Sequence, residues 1–213
     1  MTTERGETSK RGDRLRRSVM VVGVGGAGGN IAAELQSIGA LDGLGFNVQW
    51  INLCTDPPHG RDNISLHSVP VATTFLASTG SGGSARLVPA FVHKQRYRFR
   101  ALVAGVEIVV LVAGLGGGTG GGMALYFARL ARNVRTLTIA FVTMPFGFEG
   151  IRVQRADIAI KRLKRTTARV IAFSNQQLAD EMGDNAMLDT IYEVQSMRIA
   201  RFMRHLLRRQ YFG

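Results

Sequence analysis

Apolar residues fall into two kinds of run along this chain. Short, largely β-branched runs at Ser18–Val22, Val48–Leu53, Ile108–Ala113, Leu137–Val142 and Arg169–Phe173 predict strands. The run Ile108–Ala113 has no polar interruption, as expected of a strand covered on both faces. Between these runs the apolar positions recur at helical spacing. That spacing predicts helices over Ile31–Ile38, closed by Gly39, over 86–104 with Lys94, Arg96, Arg98 and Arg100 outward, and from about Met123 to Arg132. A long final helix is expected over 187–211. Residues 1–17 have no apolar period and read as a disordered basic arm; 78–84 is rich in Gly and Ser and reads as a loop. Strands alternating with helices predict an α/β fold, Rossmann-like, with a mainly parallel sheet and helices on both faces. In such sheets ligands bind beyond the carboxyl ends of the strands. The expected organisation is an arm (1–17), a nucleotide-binding domain (18–186) and a long helix (187–213).

Charge narrows the partners. The 213 residues carry a formal net charge of +12, so a nearby polyanion is expected, whether nucleotide, nucleic acid or acidic membrane surface; a solvated basic surface is the alternative. A hydrophobic share of 46% is enough for a sizeable core. No apolar run reaches the ~18 residues a membrane span needs, and 1–17 lacks a signal-type apolar stretch, so a cytoplasmic location is expected. The single cysteine, Cys54, excludes an internal disulfide framework and a cysteine-based zinc site; a buried place near a strand end suits it.

Two glycine-rich segments, at residues 23–30 and 114–122, read as loops and carry the chemistry. Gly23, Gly25 and Gly28 fit the spacing GxGxxG between a strand and a helix, where a pyrophosphate can approach helix N-terminal amides. Alone this is ambiguous, because a tight strand-to-helix turn uses the same residues. A dinucleotide enzyme would also want an acid at the end of the second strand, and Asp56, followed by Pro57 and Pro58, is its nearest candidate. The second segment, Ala113 to Gly122, has six glycines of seven across 116–122. It lies directly between a buried strand and an apolar helix, where a flexible linker has no place and a phosphate cradle does.

The run Gly116-Gly117-Gly118-Thr119-Gly120-Gly121-Gly122 resembles the signature GGGTG[TS]G of the FtsZ/tubulin family, with Gly121 where that family carries a hydroxyl. Five other segments are similar in the right order: Gly23 to Asn30, Thr55-Asp56, Gly80 to Ser84, Pro145 to Gly150, which resembles PFxFEG, and Asn175. The resemblance covers about residues 19–207 and implies binding of GTP or GDP, with Mg2+ carried on the nucleotide, and self-association coupled to hydrolysis. By that resemblance Gly26, Ala27, Gly28, Gly29 and Asn30 would hold the α- and β-phosphates and approach the base. Gly118, Thr119 and Gly120 would bind phosphates, and Gly82 and Gly83 would sense the γ-phosphate. Glu149 would accept from the ribose hydroxyls, Arg152 (with Arg155 in reserve) would offset charge, and Asn175 would face guanine.

Departures are as informative. Where the family reads guanine from the long helix, this chain offers Ser196 or Gln195, with Ile191 or Tyr192 for stacking. A filament-associated module without hydrolysis and an NAD-dependent enzyme therefore stay open as alternatives. No residue matches the family's water-activating aspartate, so slow or absent hydrolysis by the chain alone is expected. With the second domain read as absent, Phe202, Met203 and Leu206 are expected to face water and to seek a second copy or a longer homologue. Arg198, Arg201, Arg204 and Arg208 form a stripe on the same helix that suits an acidic partner.

Overall fold

The computed structural model describes residues 17–54, 67–70, 88–183 and 185–212. Six parallel strands form one sheet in the order β3-β2-β1-β4-β5-β6. They are β1 Ser18–Val24, β2 Asn47–Cys54, β3 His67–Pro70, β4 Ile108–Gly114, β5 Leu137–Met144 and β6 Arg169–Ser174. The helices are α1 Gly25–Ser37, α2 Val88–Val103, α3 Gly118–Asn133, α4 Ile151–Lys164, α5 Asn175–Met182 and α6 Leu188–Phe212, with a 3-10 turn at Gly147–Glu149. The expected strands are all present, each running one or two residues further than the apolar runs.

Alternation along the central strands sends side chains to two cores. Val19 and Val21 of β1, with Val110 of β4 and Phe141 of β5, meet Leu35 of α1 and Ile199, Met203 and Leu207 of α6. Met20, Val22 and Val24 point the other way, onto Phe99 of α2, Met123 and Phe127 of α3 and Leu163 of α4. Both faces are covered, which is why β4 is apolar at every position from Ile108 to Ala113. Phe99 sets its edge against Phe127 at 6.1 Å on the second face.

The long helix corrects one expectation. Met203 and Leu206 do not face water; α6 lies against the sheet and buries them to 0% and 8% exposure. The apolar stripe faces this chain's own β-sheet because Ile199, Met203, Leu206 and Leu207 recur at three- and four-residue spacing toward it. Each such burial stabilises by about 1.5–3 kcal/mol. Of the three residues expected to face water only Phe202 keeps substantial exposure, and even its ring sets an edge against Phe141 and Phe173. The basic stripe is partly engaged as well. Arg198 pairs with Glu181 at 2.6 Å, and Arg204 donates to the carbonyls of Ala40 and Asp42, so two of its four arginines hold the fold together. Among the described residues no helix is long and apolar enough to cross a membrane.

Candidate functional site

β1 and β4 are neighbours, and their connections leave in opposite directions: α1 goes to one face and α3 to the other. A crevice opens beyond the carboxyl ends of strands at such a switch point. Both glycine-rich segments reach it, and they touch. A Cβ on Gly25 would stand 3.2 Å from the Gly120 nitrogen and 3.5 Å from Cβ of Thr119. A Cβ on Gly114 would stand 2.7 Å from that of Ala27.

Neither segment is a loop through its length, contrary to the sequence reading. α1 begins at Gly25 and α3 at Gly118, so Gly26 to Asn30 and Gly118 to Gly120 are helical turns. Their glycine content has a steric cause more than a conformational one. A Cβ on Gly28 would strike the carbonyl oxygen of Val112, and one on Gly120 the carbonyl oxygen of Gly114. One on Gly23 would sit 2.8 Å from the Gly28 oxygen, and one on Gly29 2.6 Å from Oδ1 of Asn52. These glycines let the first turns of two helices press against strand backbones. A left-handed backbone is needed only at the two junctions, Gly25 (φ 71°) and Gly116 (φ 101°). Gly121, where a hydroxyl was the family pattern, would place a Cβ 3.3 Å from that of Ala159, so α4 occupies the space of the missing side chain.

What faces the crevice is main chain. Gly26, Ala27 and Asn30 are exposed on the first turns of α1, and a Cβ on Gly26 would meet nothing within 4 Å. Both helices start without a side-chain cap and without an acid in the first turn. An uncapped helix start presents up to four N–H groups with no intrahelical acceptor, at the positive end of the helix dipole. α5, by contrast, is closed by Ser174, whose hydroxyl accepts from the Gln177 N–H at 3.1 Å.

The segment Pro145–Gly150 borders the crevice. Glu149 Oε1 accepts from the Phe146 N–H at 2.8 Å, closing the 3-10 turn, and Oε2 accepts from Arg152 at 2.8 Å. Arg152 is thus already paired with Glu149 rather than standing free toward a phosphate. Its backbone packs under Gly116, where a Cβ would lie 2.9 Å from the Arg152 oxygen, which fixes α4 to the second glycine segment. Each carboxylate oxygen keeps a lone pair for a further donor.

The residues expected at the base divide. Ile191 is buried with Phe146 and Leu178 and has no face to offer a ring. Tyr192 is half exposed and sets its edge against Phe146 at 6.1 Å; burial, with Glu149 adding to it, raises its phenol pKa. Ser196 donates back to the Tyr192 carbonyl at 3.0 Å, within its own helix. Gln195, almost fully buried, donates to Oδ1 of Asn175 at 3.1 Å. Asn175 therefore has one end of its amide held and its NH2 end left for another partner. Nothing in the sequence pattern flagged Gln195 as that holder. Gly82, Gly83 and the Thr55-Asp56 pair lie outside the described residues.

Residues 18–183 match the family model described as Tubulin/FtsZ family, GTPase domain. The cell division protein FtsZ of Coxiella burnetii is 34% identical over 187 residues, covering 87% of this chain and 46% of that protein. FtsZ 1 of Thermococcus kodakarensis is 28% identical over 192 residues, covering 88% of this chain and 49% of that one. The chain thus spans about half the length of these curated relatives. Among solved structures, an empty FtsZ dimer of M. jannaschii superposes with a TM-score of 0.78 at 25% identity over 98% of this chain and 59% of that one. A GDP-bound CetZ1 monomer of Haloferax volcanii shares the fold at a TM-score of 0.70 and 18% identity, over 86% of this chain and 58% of that one. The matched span takes in both glycine segments, Glu149 and Asn175, and the chain belongs to the tubulin/FtsZ family.

Proposed function

We propose that this chain binds GTP and GDP in the crevice between α1 and α3 and works as an FtsZ-like module of a cytoskeletal or cell-division filament. The observation that carries this reading is the convergence of two uncapped helix starts whose glycines abut, beside the largely buried Glu149 carboxylate. The amides at Gly26 to Gly29 and at Gly118 to Gly120 would receive the phosphates, with Mg2+ arriving on the nucleotide. Thr119 would add a hydroxyl, Glu149 would accept from the ribose, and the free NH2 of Asn175 would meet an acceptor on the base. Gly82 and Gly83 would complete the γ-phosphate end. An NAD reading would rest on Asp56, which lies outside the described residues, and the match to the Tubulin/FtsZ GTPase domain favours a guanine nucleotide over it.

The chain alone would hydrolyse GTP slowly or not at all, and turnover would need self-assembly with a longer homologue that supplies the water-activating aspartate. The direct test denatures the purified protein and identifies the released nucleotide by anion exchange. Guanine nucleotide near stoichiometry supports the reading; nicotinamide dinucleotide in its place would overturn it. Substitution must respect the packing: bulk at Gly120 would break α3 away from β4, so Thr119→Val and Gly26→Ala are the informative variants.

A further inference from the structure

The end of the sheet opposite the crevice has a chemistry of its own. Hydrogen bonds gather the connections there. Ser18 Oγ donates to the Gly105 carbonyl, Thr136 Oγ1 donates to that of Val106, and Arg132 donates across to the Arg165 carbonyl at 3.2 Å. The ends of α2, α3 and α4 and the starts of β1, β4 and β6 therefore meet at one pole. That pole is strongly cationic. Arg132, Lys161, Arg162, Lys164, Arg165 and Arg169 are all exposed on it. Helices α2 and α3 carry no acid at all and α4 only Asp157. The other nearby acid, Glu107, is engaged by the Ser18 N–H and by Arg17 at 3.8 Å.

Cations at helix C-termini offset the dipole, but one or two per helix suffice, within the last turn. Lys161 to Arg165 places four in five residues, beside the arginines of neighbouring elements. Like charges so gathered repel one another unless a polyanion neutralises them. We propose that this pole binds nucleic acid through its phosphates, without reading bases. Arginine outnumbers lysine there, and its planar fork suits paired phosphate oxygens. Within 129–136 and within 161–169 no large apolar side chain is exposed, so these segments give an anionic membrane no apolar anchor. The inference stands apart from the nucleotide reading, because the two surfaces lie at opposite ends of the strands.

The test is anisotropy of a fluorescein-labelled DNA duplex of about 20 base pairs titrated with the full chain, where each phosphate contact steepens the log–log salt slope by roughly 0.9. The triple variant Arg162→Glu, Arg165→Glu, Arg169→Glu should bind at least about tenfold more weakly, with a slope shallower by roughly 2–3. The corresponding glutamine variant should show a smaller loss, and both should keep the wild-type circular dichroism. Saturating GTP should leave the duplex bound. Wild-type affinity in the charge-reversed variant would overturn the proposal. So would displacement of the duplex by GTP, or tighter binding to phosphatidylserine vesicles than to the duplex.

Discussion

Glycines in the phosphate-binding segments divide into those that make room for the fold and those that make room for a ligand, and substitution by alanine separates them. Gly23 lies in β1 beneath α1. A Cβ there would sit 2.8 Å from the Gly28 oxygen, 2.9 Å from Cα of Gly29 and 2.9 Å from Cβ of Ala32. Two of those three are backbone, so no rotamer change relieves the contact. Ordinary carbon contacts begin near 3.4 Å, so α1 must retreat by about 0.5 Å from a strand it packs on along its first two turns. Overpacking of this kind costs about 1–3 kcal/mol. At roughly 2–4 °C per kcal/mol for a chain of this size, Gly23→Ala should melt about 2–12 °C below wild type. Gly26 is the contrast: helical, exposed and with nothing within 4 Å of an added Cβ. Alanine is favoured over glycine there by about 0.5–1 kcal/mol, so Gly26→Ala should melt about 1–4 °C higher. Its methyl group would nevertheless stand in the phosphates' place, and GTP affinity should fall about tenfold or more, a loss near 1.4 kcal/mol. Calorimetric melting with isothermal titration of each variant decides the matter. A Gly23→Ala protein as stable as wild type, or a Gly26→Ala protein destabilised to the same degree, would refute the division.

Three more outcomes follow from the packing. Gln195→Ala removes the donor to a buried Asn175 oxygen, so it should cost about 1–3 kcal/mol in chemical denaturation and weaken discrimination between GTP and ATP. Leu206→Asp buries a carboxylate against the sheet and should unfold the protein or lower its midpoint severely, whereas Phe202→Asp, at a half-exposed position, should be far milder. The Glu181 carboxyl is held below its usual pKa, chiefly by its hydrogen bond from Arg198. A depressed carboxylate contributes stability above its unfolded pKa and loses it as pH falls through the folded value. Arg198→Ala should therefore return the Glu181 titration, followed by NMR, toward the ordinary carboxylate value.

Much of this fold was legible because apolar runs and helical periods report burial directly. β4 reads as covered on both faces, and it is. What failed has physical reasons. Glycine runs were read as loops because glycine is a poor helix former, yet α1 and α3 begin inside them; closeness to β1 and β4 outweighed propensity. β3, four residues long, has too short a run to stand out. The stripe on α6 was expected to face water because the sequence shows that a face is apolar but not what lies against it. At the site, motif spacing brought Glu149, Arg152 and the two glycine segments to one place. It could not show that Arg152 pairs with Glu149, or that Gln195 orients Asn175, since both contacts depend on tertiary packing.

The central claim is that the two uncapped helix starts form one guanine-nucleotide site. Isothermal titration of GTP into nucleotide-stripped protein tests it most directly, with Thr119→Val and Gly26→Ala alongside and NAD as the competing ligand. The account predicts one GTP per chain, weaker binding in both variants while both stay folded, and no competition from NAD. Equal GTP affinity in wild type and both variants, or displacement of GTP by NAD, would contradict it.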